Sequence, residues 1–281
     1  MGLIDDIKAN AQENGTKIQS SDAAEIEKLF NSLFYAKKNM EEEVKFVKQM
    51  FTRGGDSQER YGLHTSAIIV GDDKFCFREQ VLSLMYKQAQ GENVPQNLIR
   101  IFEEGNAIHE KWQRLFIRGN LCKAEDCDFS KFYDKYEVGY TPDAIITYKG
   151  KKYVVEIKSV NTYQFMKMTS HPTASKQVQM YMHFSGIHDG IILCEDKNTQ
   201  QFKVFLVKYN PEVVEKYIER LEAVQYYKTR VYEEGKMVKR CEQCTSKVCK
   251  RAIGCSMRDA CWNCGKGRVK LEKVQKASNR G

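Results

Sequence analysis

The stretch Tyr140–Val160, "YTPDAIITYKGKKYVVEIKSV", decides how the chain is read. Residues 143–148 and 151–160 are rich in Ile, Val, Thr and Tyr, which suits strands. Lys149-Gly150 lies between them and supplies a two-residue turn, with Gly150 tolerating a positive φ. Asp143 is as far before that turn as Glu156 is after it, so an antiparallel hairpin sets the two acids opposite each other, about 5 Å apart at Cβ. Glu156 and Lys158 share a face because strand side chains alternate. Two facing carboxylates repel by about 3 kcal/mol at an effective dielectric near 20. Lys158 offsets part of this, and a hard divalent cation offsets it best. Taken alone, the same hairpin also reads as a surface element with solvated cross-strand ion pairs.

Around the hairpin the expected order is helices, then β-β-β-α-β-β, then a helix, which is a mixed α/β domain with added helices. Residues 22–52 read as helical, with a division near Asn39. Helices are expected over 76–90, 98–118 and about 174–186, and strands near 189–195 and 202–208. The segment holding "SHPTAS" is expected to be a loop, and residues 129–139 to contribute a strand. Asn210 and Pro211 open a further helix. The expected divisions are an N-terminal helical region over 1–60, a core over 61–235 and a Cys-rich tail over 236–281.

The net charge of +8 is uneven. Residues 236–281 carry 13 Lys and Arg against 3 Asp and Glu, whereas residues 1–235 are close to neutral. A basic tail fits nucleic acid, and it also fits simple solubilisation. The N-terminus lacks a signal-peptide core and no apolar run approaches membrane-spanning length, so a soluble, cytoplasmic protein without membrane contact is expected. Six of the ten cysteines fall between Cys241 and Cys264, a clustering that argues for metal in a reducing compartment.

Two more features flank the hairpin. His109 lies on a helix whose apolar stripe is Ile108, Trp112, Leu115 and Phe116. Gln177 and Tyr181 are four apart and share a helical face. Alone, each reads as ordinary structure. Together and in this order, His109 in "GNAIHE", Asp143 in "TPDAII", Glu156 and Lys158 in "VVEIKS", and Gln177 with Tyr181 in "QVQMY" resemble the PD-(D/E)xK nuclease superfamily, RecB-like exonuclease branch. The resemblance spans about residues 62–264.

The resemblance implies a restriction-endonuclease-like central sheet flanked by helices, and metal-dependent hydrolysis of DNA phosphodiester bonds at ends, in recombination, repair or replication. It implies Mg²⁺ or Mn²⁺ held by His109, Asp143, Glu156 and the Ile157 carbonyl, with Lys158 as the catalytic base-positioning or charge-stabilising group. Gln177, Tyr181 and Arg78 are implied DNA contacts, and a helicase or recombination protein is an implied partner. It is similar also to branch members in which a Cys near an Arg, here Cys76 and Arg78, joins three C-terminal cysteines, here Cys241, Cys244 and Cys249, around a [4Fe–4S] cluster. Zn²⁺ on Cys241, Cys244, Cys261 and Cys264 is the competing reading of the tail, by spacing. A second metal could use Cys249, Cys255, Cys261 and Cys264 in part, and Cys122, Cys127 and Cys194 read as structural. The alternatives in function are an endonuclease of the same fold, a catalytically silent DNA-binding module, and a zinc-bearing nucleic-acid-binding factor whose tail is the active part.

Overall fold

The computed structural model describes residues 20–53, 62–86, 96–127 and 131–263. In chain order the helices are α1 (Ser20–Ser32), α2 (Met40–Arg53), α3 (Thr65–Ile68), α4 (Phe77–Met85), α5 (Gln96–Arg118), α6 (Thr162–Lys167), α7 (Pro172–Ser185), α8 (Pro211–Glu234), α9 (Lys250–Ile253) and α10 (Arg258–Asn263). The strands are β1 (Leu63–His64), β2 (Lys131–Tyr133), β3 (Val138–Tyr140), β4 (Ala144–Tyr148), β5 (Lys151–Val160), β6 (Asp189–Asp196) and β7 (Phe202–Lys208). The result is a mixed α/β protein with a central sheet flanked by helices, as the sequence leads one to expect.

The chain forms two compact units. The first comprises the described parts of Met1–Ser57, Val94–Lys131 and Tyr140–Lys216. Its sheet has the order β4-β5-β6-β7. β4 and β5 are antiparallel with Ala144 opposite Val155 and Tyr148 opposite Lys151. β5 and β6 are parallel, with Glu156 beside Ile192 and Lys158 beside Cys194. β6 and β7 are antiparallel. Alternation then divides β5 between two faces. Val155 and Ile157, with Ile191 and Leu193, join Ile26 and Phe30 of α1 and Trp112 and Phe116 of α5 in one buried cluster. The opposite face meets α7 closely: a Cβ on Gly190 would lie 2.3 Å from Val178 Cγ1.

Both sheet edges are covered, which removes unpaired strand groups from solvent. On β7 the Val204 N–H donates to Glu27 Oε1 of α1 at 3.1 Å. On β4 the Thr147 N–H donates to the Leu121 carbonyl at 2.7 Å, and Cys127 bridges Ala144.

The second unit comprises the described parts of Gln58–Asn93, Phe132–Gly139 and Tyr217–Gly281. It holds the small sheet β1-β3-β2, in which Leu63 pairs with Val138 in parallel. Arg220, buried on α8, donates to the carbonyls of Ile68 and Val70 and to Asp72. Gln225 Nε2 donates to the Tyr136 carbonyl at 2.7 Å, and Tyr136 Oη donates to Glu222 at 2.9 Å. Among the described residues no helix is long and apolar enough to cross a membrane.

Some local structure departs from the expectation. The helix expected over 76–90 ends at Met85, where Tyr86 turns extended (φ −131°, ψ 150°). α6 stands where a loop was expected. Its signal was in the sequence: Asn161 accepts the Gln164 N–H at 2.9 Å and its amide reaches Gln164 Oε1 at 3.1 Å, so "NTYQ" is a capping pair. In the hairpin turn, Lys149 takes a positive φ of 49° as well as Gly150 at 73°, the pattern of a type I′ turn. A Cβ on Gly150 meets no atom within 4 Å, so only backbone strain opposes a side chain there. Gly150→Ala is expected to destabilise the protein by about 1 kcal/mol, and Lys149→Asn to stabilise it by about 0.5 kcal/mol, read as opposite shifts of the urea midpoint at unchanged slope.

Candidate active site

Asp143 immediately precedes β4, and the β4–β5 register carried one step outward puts it opposite Glu156. Its carboxylate is held from two directions. Oδ2 accepts the Ile157 N–H at 2.6 Å, and Oδ1 lies 3.0 Å from His109 Nδ1. Its carbonyl accepts Gln113 Nε2 at 2.8 Å, so α5 grips both the backbone and the side chain of this residue. His109 and Gln113 are four apart and therefore share a helical face. The same helix buries Ile108, Trp112, Leu115 and Phe116, the stripe expected from spacing.

Glu156 is 2% exposed. Burial, and then the charge of Asp143, push its pKa up to about 7, against the pull of Lys158. A shift of that size disfavours the charged carboxylate by about 3 kcal/mol. Glu156 Oε1 accepts a hydrogen bond from the Lys158 ammonium. Burial alone would lower the Lys158 pKa, but the Glu156 charge and hydrogen bond outweigh it and raise it. His109 follows the same balance: burial lowers its pKa, and Asp143 followed by Glu156 overcome this and raise it.

A polar chain leads away from Lys158 along α7. Lys158 Nζ lies 3.4 Å from Gln177 Oε1, and Gln177 Nε2 donates to Tyr181 Oη at 2.6 Å. Lysine can only donate, so the Gln177 oxygen must face it and the amide nitrogen must face Tyr181. Tyr181 is buried, and burial followed by the Glu156 charge raises its pKa. The backbone N–H of Thr141 also reaches its oxygen. With both lone pairs engaged, the phenol proton is left to donate elsewhere. All six residues expected at the site, His109, Asp143, Glu156, Lys158, Gln177 and Tyr181, belong to the first unit and are linked to one another. Ile157 takes part through its N–H, bound to Asp143, with its side chain in the core.

Glu195, on β6, was not singled out in the sequence. It is buried and accepts from Lys111 Nζ at 2.5 Å and Trp112 Nε1 at 2.6 Å. These bonds fasten α5 two and three residues beyond His109, within one helical turn, so Glu195 positions the helix that carries the histidine. Cys194 is a buried thiol, its pKa pushed up to about 12 by burial. Cys122 and Cys127 come within 3.5 Å of each other at sulfur.

The donor set suits a hard divalent cation. It offers two carboxylates and an imidazole, and the raised pKa of Glu156 marks negative charge that the protein itself does not fully balance. Within the described residues, however, no three His, Cys, Asp or Glu side chains close into a metal cage, because Asp143 turns its oxygens to His109 and Ile157.

The other expected site residues lie in the second unit. Arg78 is buried, and its guanidinium donates to the Val238 carbonyl at 2.6 Å, the Cys261 carbonyl at 3.0 Å and Cys261 Sγ at 3.1 Å. Three of its five N–H groups are thus engaged within the chain, and this arginine fastens α4 to the tail. Cys241 and Cys244 are 3.3 Å apart at sulfur. Burial and then the neighbouring Cys241 and Cys249 thiols push Cys244 up to about 12, and Cys76 adds to that push. Backbone N–H groups of Ser246 and Ala252 draw Cys249 down to about 7. Cys76, Cys241, Cys244 and Cys249 therefore sense one another, although they too stop short of a closed ligand cage. Cys255 joins their edge through Glu79 and Cys76. Cys264 lies outside the described residues.

No family model matches the chain, and no curated protein matches it. Solved structures do. The chain is similar to LHK-Exo in complex with dAMP, at 13% identity and a TM-score of 0.47, covering 62% of this chain and 91% of that one. It is similar to the alkaline exonuclease LHK-Exo from Laribacter hongkongensis, at 13% identity and a TM-score of 0.43, covering 62% and 93%. It is similar to SSO0001, at 13% identity and a TM-score of 0.41, covering 74% and 95%.

The Glu156 shift fixes a pH dependence. A carboxyl whose folded pKa lies above its unfolded value contributes stability at low pH that is lost as pH rises through the folded value. Stability from Glu156 therefore declines from about pH 4.5 to about pH 7 in metal-free protein. Glu156→Gln is expected to flatten that decline. Mn²⁺ is expected to raise the Tm of the wild type at pH 8, to do so less at pH 5.5, and to leave the variant unmoved, all by thermal scans with and without the ion.

Proposed function

We propose that this chain is a divalent-metal-dependent deoxyribonuclease that hydrolyses phosphodiester bonds at DNA ends. The observation that carries the reading is the meeting of Asp143, His109 and Glu156 beside the middle of β5, with Lys158 two residues on and tied through Gln177 to Tyr181. His109, Asp143, Glu156 and the Ile157 carbonyl would hold Mg²⁺ or Mn²⁺. Such an ion supplies an acidified water and polarises a phosphoryl oxygen. Asp143 and Glu156 present hard oxygen donors at that place, and burial keeps bulk water from screening them. Lys158, kept protonated by Glu156, donates to the charge that builds on the phosphoryl group. Gln177 holds the ammonium in place and occupies one lone pair of the Tyr181 oxygen, which leaves the phenol proton as the donor Tyr181 would offer to a backbone phosphate. The choice of ends over internal bonds comes from the resemblance of the Gln177–Tyr181 pair to the exonuclease branch.

We also propose a [4Fe–4S] cluster on Cys76, Cys241, Cys244 and Cys249. The mutual influence of these four thiols supports it, and the engagement of Cys261 with Arg78 favours it over zinc on Cys241, Cys244, Cys261 and Cys264. The cluster would clip the tail to α4. The basic residues of 236–281 would add salt-dependent phosphate contacts.

End-labelled DNA with Mn²⁺ or Mg²⁺ tests the enzyme reading. Lys158→Ala is expected to lose about 10²–10³-fold in degradation rate while retaining DNA binding. Degradation at the wild-type rate would refute the assignment. Anaerobically purified protein is expected to carry about four irons and to absorb broadly in the visible, and zinc without iron would refute the cluster.

A further inference from the structure

Cys122 and Cys127 stand at the two ends of the short segment that follows α5, and their sulfurs are 3.5 Å apart. The segment is closed on itself. The Lys123 N–H donates to Asp126 Oδ2 at 3.0 Å, and the Cys127 N–H donates to the Ala124 carbonyl at 3.2 Å. α2 holds it as well, since Glu42 Oε2 accepts the Ala124 N–H at 3.1 Å. The backbone itself therefore keeps the two thiols together before any bond joins them. A disulfide spans about 2.0 Å between sulfurs, so closing the gap takes about 1.5 Å of side-chain motion.

The two sulfurs differ in access. Cys127 is fully buried, whereas Cys122 is half-buried at the margin of the core. A reagent from solvent reaches Cys122 first, and Cys127 stands behind it as the thiol that resolves the product. The neighbouring Cys127 thiol, then burial, then the charges of Asp126 and Glu42 hold Cys122 protonated beyond the ordinary range of a thiol. Exchange at this pair is therefore slow at neutral pH and needs base or time.

The same segment covers the edge of β4. The Leu121 carbonyl, one residue before Cys122, accepts the Thr147 N–H at 2.7 Å. Cys127 itself bridges Ala144, the residue after Asp143. A bond between the cysteines would fasten these two contacts, one near each end of β4, to each other.

We propose that Cys122 and Cys127 form a covalent modification site, a reversible disulfide made by exchange with a small-molecule disulfide, which pins the cover of the β4 edge beside Asp143. The Cys122 sulfur, as thiolate, attacks one sulfur of the reagent, whose S–S bond breaks and releases one thiolate. The Cys127 sulfur then attacks Cys122 in the mixed disulfide and releases the second thiolate. The two protons lost by the cysteines pass to the two released thiolates, so one disulfide is reduced for the one that forms. The pair belongs to the first unit, uses none of the cysteines proposed for the cluster, and does not depend on the nuclease reading.

The sequence supplies a direct readout, because Lys123 lies between the two cysteines and trypsin cuts after it. Anaerobically purified full-length protein is incubated with glutathione disulfide at mildly alkaline pH, remaining thiols are blocked, and the tryptic digest is read by mass spectrometry. Peptides 119–123 and 124–131 are expected to run joined and to separate on reduction. In the oxidised protein the Thr147 amide is expected to exchange its hydrogen about tenfold more slowly than in the reduced protein, and the Tm to rise by about 3 °C. Neither change is expected in Cys122→Ala treated in the same way. Peptides that run apart, or that are joined only to other cysteines, would overturn the site. A joined pair with the exchange of Thr147 and the Tm unmoved would overturn its part at the β4 edge. Both readouts are taken on the wild type, so neither depends on a variant folding.

Discussion

The hydrogen bond from the Ile157 N–H to Asp143 Oδ2, at 2.6 Å, holds the site together. It converts a residue just outside β4 into a fixed part of the β4–β5 ladder. Because that oxygen is taken, the other is presented to His109, and Gln113 grips the same residue through its carbonyl. One carboxylate thereby joins the hairpin to α5. With Asp143 so placed, Glu156 has no escape from its neighbour's charge, and Lys158 is drawn to Glu156 rather than to solvent.

Such an arrangement is poor for stability. A fold selected for stability alone would not bury Glu156 opposite Asp143, since burial and like charge both disfavour its ionised form. The surrounding structure tolerates it because the rest of the sheet is apolar and tightly packed: Val155, Ile157, Ile191 and Leu193 lie under α1 and α5, and Val178 presses on Gly190. Departures from local rules concentrated in one place, within an otherwise consistent fold, are a mark of a functional site. Glu195 belongs to the supporting frame. Its bonds to Lys111 and Trp112 keep α5 from turning, and the direction of His109 depends on that.

The second unit is organised by arginines that satisfy buried carbonyls. Arg220 gathers the chain around Ile68–Asp72, and Arg78 fastens α4 to Val238 and Cys261. Arg78 illustrates how burial decides what a residue type is used for. An exposed guanidinium can offer its fork to an anion, but at 7% exposure Arg78 spends three of its N–H groups on Val238 and Cys261. Burial is a property of the fold, and composition does not reveal it.

The sequence by itself determined the hairpin, its register and the helix stripe. Strand composition, a two-residue turn and the fixed alternation of side chains leave Asp143 no partner position but Glu156, and the spacing of Ile108, Trp112, Leu115 and Phe116 leaves His109 one side of its helix. These are short-range consequences of backbone geometry, and they were legible without neighbours. Tertiary structure alone decided which groups sit near one another: that Asp143 turns to His109, that Glu195 clamps α5, and that Cys122 meets Cys127. Burial and charge coupling depend on elements distant in the chain, so the pKa of Glu156 and the internal use of Arg78 had no local signature to read.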